Sequence, residues 1–332
     1  MFIRNRWYAA GYSHEVDRSL LARTICGEPI VLFRTSDGRV AALADRCPHR
    51  RMPLSLGRLT GDEIECAYHG LRVAATGHCV FALGLTRMPP APVVRSYRIE
   101  DRHRFVWIWI GDEDKATPET IPDYHWHALP DWEADRFHVR IEANYKLGLD
   151  NLLDLSHAAY VHKANVGNAA IAEYDPEIVM TTEALEVRRT MRDVENSRTM
   201  AELTGLPRSD NLRSTIFKPP SDVRIETIYQ VGNGADGVLR REIQVLTPLT
   251  PETESSHHQF LVHCRDFATE PARRARFAAD IETVLSEDKT ILEAQQRAMA
   301  SDPPGVRMLH LRIDRGPLAA RRLLDALERP AP

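Results

Sequence analysis

Apolar and polar positions alternate over short runs in the first third of the chain, and turn residues interrupt the runs every few positions. Residues 29–34 and 40–44 read as two strands joined across Ser36-Asp37-Gly38-Arg39, a hairpin signal. Thr76-Gly77-His78 marks a further turn, and Met88-Pro89-Pro90-Ala91-Pro92 an extended crossing. The apolar run 105–110 reads as a strand and ends at Gly111-Asp112-Glu113-Asp114, after which Pro118 and Pro122 stand in an acidic stretch. Beyond that stretch come a strand over 138–143 and a largely apolar segment, 151–162, read as helical. Alternation returns over 178–192, 222–230 and 238–247. Gly232-Asn233-Gly234-Ala235-Asp236-Gly237 reads as a turn with no context for holding phosphate. Two helices close the chain, one over 271–300 with Pro271 in its first turn and one following Gly316-Pro317. The pattern gives a strand-rich unit over residues 1–115, a linker over 116–135, and a mixed unit over 136–332.

At 332 residues the chain exceeds one average domain, which agrees with two units. A formal net charge of −4 provides no basic field for nucleic acid. The run 105–110 is far too short to span a bilayer, and no signal or anchor is visible, so no membrane association is expected. Five cysteines do not suggest a disulfide framework, and a reducing compartment, the cytoplasm, is expected.

Chemistry concentrates in two places. In 151–162 a carboxylate, Asp154, and two imidazoles, His157 and His162, lie close together. Asp154 and His157 share a helix face, whereas His157 and His162 would sit about 140° apart on a regular helix. Both rings can reach one metal only if the helix is distorted or ends between them. Two His and a carboxylate form the facial triad of non-haem Fe(II) oxygenases; the bland reading is a helix whose polar residues find hydrogen bonds.

Upstream, Cys47-Pro48-His49 and Cys66-Ala67-Tyr68-His69 supply two thiols and two imidazoles, the ligand set of a Rieske [2Fe-2S] centre. A Cys2His2 zinc site uses the same residue types. Zinc pairs more often run Cys-Cys then His-His, whereas each half here offers one of each. Cys26, Cys79 and Cys264 read as buried thiols, His78 as structural, and His125, Trp126, His127 and Trp132 as packing. His257 and His258 are adjacent and point to opposite faces of a strand, so with His263 they read as pairing or pocket-wall residues.

A second carboxylate competes with Asp154. In the helix 271–300, Ile281, Val284, Leu285, Ile291 and Leu292 stand at same-face offsets from Asp288, which therefore sits in the apolar stripe. A carboxylate there needs a partner, either a metal cation or an Arg or Lys.

Asn5-Arg6-Trp7-Tyr8, Cys47-Pro48-His49-Arg50 with Pro53-Leu54-Ser55-Leu56-Gly57, Tyr68-His69-Gly70-Leu71, the stretch from Asn151 to His162, Glu287-Asp288 to Gln295-Gln296, and Ile313-Asp314 with Arg321-Arg322 carry a resemblance. In this order they resemble the oxygenase component of Rieske non-haem iron oxygenases, nearer to vanillate O-demethylase oxygenase and its relatives acting on aromatic acids. The resemblance implies an α+β chain: an N-terminal all-β Rieske [2Fe-2S] domain, then a helix-grip (START-like) catalytic domain with an antiparallel sheet and C-terminal helices. It implies that Cys47, His49, Cys66 and His69 hold the cluster and that His157, His162 and Asp288 hold mononuclear Fe(II). Asp154 would then bridge His69 of a neighbouring subunit to His157, with Asn151 orienting water or the bridge, in a homotrimer. Electrons would come from an NAD(P)H-dependent reductase, in keeping with the lack of a Gly-x-Gly-x-x-Gly fingerprint in the chain. The implied reaction uses O2 on a small aromatic acid, foremost O-demethylation of a methoxybenzoate such as vanillate. Ring hydroxylation or aryl-methyl oxidation is the alternative, and a Rieske electron carrier with a ligand-binding domain is the reading from another class.

Overall fold

The computed structural model describes residues 2–181, 184–232, 237–303 and 305–328. Asn233 to Asp236, within the Gly-rich turn read above, lie outside the described residues. The chain forms two compact units, one of residues 2–123 with 250–253, the other of 124–249 and 254 onward. The division at 123/124 falls inside the stretch read as a linker, 116–135, which carries short 3-10 turns at Pro118–Thr120 and His125–His127 and ends within a strand that starts at Glu133.

The N-terminal unit is built from β1 (Arg6–Tyr12), β2 (Leu21–Ile25), β3 (Glu28–Arg34), β4 (Val40–Ala44), β5 (Arg58–Thr60), β6 (Glu63–Glu65), β7 (Arg72–Ala74), β8 (Cys79–Phe81), β9 (Ile99–Arg102) and β10 (Phe105–Ile110). They pair as three sheets, β1-β10-β9, β2-β3-β4 and β5-β6-β7-β8. The side-chain period of two makes β3 the shared wall of two cores. Ile30 and Leu32 pack with Tyr8, Val106 and Ile108. Val31 and Phe33, on its other face, pack with Leu43, Ile64, Val73 and the two cysteines Cys47 and Cys66. β3 thereby ties the third sheet and the cysteine loops to the rest of the unit, and Asp62 adds bonds from the Arg18 guanidinium and the Ser36 N–H.

The second unit contains β11 (Glu133–Ile141), α1 (Tyr145–Leu153), α2 (Ala158–Val161), α3 (Ala170–Glu173), β12 (Glu177–Met180), β13 (Leu185–Glu195), α4 (Arg198–Thr204), β14 (Arg208–Lys218), β15 (Asp222–Val231), β16 (Leu239–Thr253, its last four residues counted with the N-terminal unit), β17 (Ser256–Arg265), α5 (Pro271–Ala300) and α6 (Arg315–Glu328). Its sheet runs β11-β17-β16-β15-β14-β13-β12, antiparallel, with the first strand paired to the last. α5 lays Phe277, Ile281 and Leu285 on Phe137, Tyr229 and Ile243 of the sheet, and Leu292 on Ile141, Ala143 and Leu147. Among the described residues no helix is long and apolar enough to cross a membrane.

The single alternating run read over 178–192 is in fact two paired strands, β12 and β13. Gly316 and Pro317 lie inside the first turn of α6 rather than before it. Proline is tolerated there because its missing N–H would be an orphan donor anyway. A Cβ on Gly316 would meet Val187 Cγ2 at 2.8 Å and the Leu153 carbonyl at 3.2 Å, so glycine permits the close approach of α6 to the sheet. Trp126 lies under the Arg224 guanidinium and His127 is buried, receiving the Arg136 Nε–H at 2.6 Å, so both pack as read. Cys26, Cys79 and Cys264 are buried free thiols, and burial pushes Cys26 up to about 12.

Candidate metal centres

The two cysteine loops repeat one backbone design. The N–H of Cys47 donates to the Met52 carbonyl at 2.8 Å and the N–H of Arg51 to the Cys47 carbonyl at 2.9 Å. The N–H of Cys66 likewise donates to Leu71 at 2.8 Å and that of Gly70 to Cys66 at 3.0 Å. In both loops the fourth residue after the cysteine is left-handed, Arg51 at φ 61° and Gly70 at φ 66°. Glycine takes this conformation freely, whereas Arg51 holds it against a steric cost. Cys47 and Cys66 are buried and within side-chain hydrogen-bonding reach of each other. Burial raises the Cys47 thiol, and the N–H groups of His49 and Arg50 directed at its sulfur work the other way. His49 and His69 stand exposed at the loop tips with ring centroids 4.7 Å apart. Sulfurs paired inside and imidazoles paired outside is a donor set that fits a two-iron cluster with a different ligand type on each iron.

The second centre begins where α1 breaks. Asp154 leaves helical geometry at φ −120°, ψ 90°, and its carboxylate caps the following 3-10 turn, accepting from the Ser156 N–H at 3.1 Å and the Ser156 hydroxyl at 2.9 Å. A 3-10 turn over Leu155–His157 and the short α2 follow, and His162 ends the segment off the helix at φ −104°, ψ 29°. This is the distortion the spacing required, and it leaves the His157 and His162 rings 5.3 Å apart and nearly perpendicular. The chain then folds back, the Gly167 N–H donating to the His162 carbonyl at 2.8 Å; a Cβ at Gly167 would sit 2.6 Å from that oxygen.

Asp288 of α5 meets both rings. Its Oδ1 lies 3.2 Å from His162 Nε2 and 3.5 Å from His157 Nε2, and ligand atoms of the three residues fall within 4.8 Å of one another. Burial would raise the Asp288 carboxyl, but the two imidazoles hold it well below the usual carboxylate range. Burial would lower His162, but Asp288 and Glu287 outweigh it and the net shift is upward. Each remote ring nitrogen is engaged, His157 Nδ1 by the Asp154 main-chain carbonyl at 2.7 Å and His162 Nδ1 by Glu287 Oε2 at 2.7 Å. With those protons fixed, both Nε2 lone pairs face Asp288. His162 Nε2 is buried with no partner of good hydrogen-bond geometry and stands 3.2 Å from a buried carboxylate, a place that a positive charge, proton or metal ion, would complete. Asn151 Nδ2 donates to Asp288 Oδ1 at 3.0 Å and lies 3.4 Å from His157 Nε2.

Residues 141–329 match the profile of the vanillate O-demethylase oxygenase C-terminal domain, and residues 6–97 that of the Rieske [2Fe-2S] domain. The chain belongs to the Rieske oxygenases of the vanillate O-demethylase family. It is 35% identical to the toluene-4-sulfonate monooxygenase system iron-sulfur subunit of Comamonas testosteroni, over 98% of this chain and 97% of that one. It is 33% identical to the vanillate O-demethylase oxygenase subunit of a Pseudomonas species, over 98% and 95%. A crystal structure of dicamba monooxygenase with non-heme iron and dicamba superposes with a TM-score of 0.82 at 28% identity, covering 98% of this chain and 97% of that one. The Rieske oxygenase is accordingly an oxidoreductase of the monooxygenase type and the terminal component of a multicomponent system. Its cofactors are a Rieske [2Fe-2S] cluster and a mononuclear non-haem iron.

Of the residues singled out in the sequence, Cys47, His49, Cys66 and His69 are brought together in the N-terminal unit of the oxygenase, and Asn151, His157, His162 and Asp288 in the other. Asp154 takes a different contact from the one expected. The resemblance implies a carboxylate set between His69 of a neighbouring subunit and the His157 ring, whereas within this chain the ring is held by the Asp154 main-chain carbonyl. The carboxylate instead faces Ser156 and the buried Arg189, whose Nη2 is 3.5 Å away. The physical reason is the helix break, which frees the carbonyl of Asp154 and turns the side chain back to cap the next turn. Glu287 and Arg189 had no role in the residue-level reading. Glu287 could have been suspected from its place beside Asp288, but nothing in the sequence marks Arg189.

Proposed function

We propose that this oxygenase oxidises an aromatic acid, foremost by O-demethylation of a methoxybenzoate such as vanillate, with electrons from a separate NAD(P)H-dependent reductase. The observation that carries the reading is the convergence of His157, His162 and Asp288, with Asn151, in a chain that also presents the paired cysteine and histidine loops. Cys47, His49, Cys66 and His69 would hold the cluster, and His157, His162 and Asp288 the mononuclear iron. Loaded with these groups, the protein would accept electrons singly and use O2 to place one oxygen atom in a methoxy C–H bond, the other leaving as water, after which the hemiacetal breaks to a phenol and formaldehyde.

The chain's own residues prepare that chemistry. The Asp154 carbonyl and the Glu287 carboxylate hold the two Nδ1 protons, so each ring presents Nε2. Asn151 fixes the orientation of Asp288 and keeps a polar group beside His157. The Asp154 carboxylate is oriented by Ser156 and Arg189, and in a homotrimer it would accept the ring N–H of His69 from a neighbouring subunit. Buried free thiols suit the reducing cytoplasm.

A second reading, oxidation of an aryl methyl group, is supported by the 35% identity to a toluene-4-sulfonate monooxygenase subunit, whose namesake substrate bears such a methyl. Reductase-dependent O2 uptake over a panel of methoxylated and methylated aromatic acids separates the two, formaldehyde being expected from the first set and benzylic alcohol from the second. His157→Ala should abolish turnover while the visible absorbance of the cluster persists. A protein with zinc in place of cluster iron and sulfide would sink the reading.

A further inference from the structure

The inner face of the catalytic sheet, the face covered by α5, carries an unbalanced row of arginines. Tyr229 marks that face, since it packs with Phe277, Ile281 and Leu285 of α5. Arg241 is directly opposite Tyr229 in the β15–β16 ladder and Asn211 directly opposite it in β14–β15. Arg213, two residues along from Asn211, shares the face and reaches the Tyr229 hydroxyl, and Arg189 is directly opposite Arg213 in β13–β14. Like charges directly opposite in a ladder repel.

The row has too few anions. Arg189 is 3% exposed and has Asp154 at 3.5 Å. Arg213 is met by a neutral phenol and Arg241 by the Phe267 ring at 5.2 Å. Among the described residues no carboxylate pairs with Arg213 or Arg241, and the Nε of all three arginines is buried without a hydrogen bond. Arg189 is buried and Arg213 and Arg241 are half-buried, each with its Nε shut off from a partner, and guanidinium groups placed this way beside a phenol and an aromatic ring suit an oxyanion, which their fork of donors matches. The row also lies close to the metal centre. Arg189 contacts Asp154, whose carbonyl holds His157, and Leu285, packed with Tyr229, is one turn before Asp288.

We propose that Arg213 and Arg241, on either side of Tyr229, form an oxyanion anchor that binds the acid group of an aromatic substrate, carboxylate or sulfonate, and so determine the charge class the oxygenase accepts. The assignment rests on the oxygenase reading above and adds to it the residues that select the substrate. The bound acid neutralises the row, and the ring is held by one end under α5.

Calorimetric titration of the anaerobic, reductase-free holoenzyme tests it with vanillate, methyl vanillate, 4-methylbenzoate and toluene-4-sulfonate. The acids should bind at least about 10-fold more tightly than the neutral ester, and Arg213→Gln and Arg241→Gln should each weaken the acids by about 10- to 100-fold while leaving the ester unchanged. Arg213→Lys should fall between, having kept the charge and lost the fork. The last two probes differ only in the anion and report whether carboxylate or sulfonate is preferred. Cluster absorbance and iron content, measured on every variant, establish that each has folded. Acid and ester binding alike, no acid binding, acid affinity untouched in both Gln variants, or equal loss of acid and ester would each overturn the anchor. Turnover of the ester with no preference for the acid would overturn it and leave the oxygenase reading standing, whereas a folded protein without mononuclear iron would sink that reading first.

Discussion

Removing Glu287 isolates the contribution of one carboxylate that touches an imidazole from behind. Glu287 Oε2 accepts from His162 Nδ1 at 2.7 Å, while the opposite ring nitrogen faces Asp288 at 3.2 Å, so adjacent residues of α5 hold the two sides of one ring. Loss of such an outer partner lowers metal affinity by about 10- to 100-fold, or about 1.4–2.8 kcal/mol. The Glu287 side chain is 31% exposed and the His162 side chain 2%, so solvent screens the carboxylate but cannot replace it at the ring. Glu287→Ala is therefore expected at the lower end, about 10-fold weaker for Fe(II). Glu287→Gln, whose amide oxygen still accepts from Nδ1–H, should lose less. The assay is anaerobic Fe(II) competition against a chelator on protein with an intact cluster. Two controls bracket the result: Asp288→Ala should lose mononuclear iron, whereas Asp154→Asn should retain it, because the link to His157 is a main-chain carbonyl that Asn preserves. Parental iron affinity in Glu287→Ala would refute the reasoning, as would iron loss in Asp154→Asn alone.

Three further outcomes are expected. Burial raises Asp222 from 3.8 to about 7 against the Tyr124 hydrogen bond, so between those values the folded form keeps a proton that the unfolded chain releases. Stability should then fall as pH rises from about 4 to 7 and level off above, and denaturant unfolding of Asp222→Asn across that window should lack the decline. Gly316→Ala should cost about 1–3 kcal/mol by forcing a methyl against Val187, and Val187→Ala should recover part of the lost Tm if that contact is the cause. If electrons cross between subunits of a ring, His69→Ala and His157→Ala, each inactive alone, should regain activity after subunit exchange; exchange without recovery would confine the path to one chain.

Sequence alone determined what is local. The pairs Cys47-x-His49 and Cys66-x-x-His69 were legible because each sits on one short loop, where spacing along the chain is nearly spacing in space. The strands β3, β4 and β10 and the helix α5 were legible because one face or both is apolar. Asp288 could be suspected from its place in that apolar stripe, and the fold class followed from the family resemblance. β14 escaped notice because Ser209, Asn211, Arg213 and Thr215 fill the positions facing α5 where an ordinary strand places aliphatic side chains. A sheet face with polar work to do loses the periodicity by which strands are found. Only the tertiary structure decided the rest. It brought Glu287 to His162 across 125 residues, turned the carbonyl rather than the carboxylate of Asp154 to His157, and aligned Arg189, Arg213 and Arg241 with one phenol among them. Those contacts depend on strand register and on the crossing of α5 over the sheet, and a shift of one residue in either would turn the same side chains to the other face.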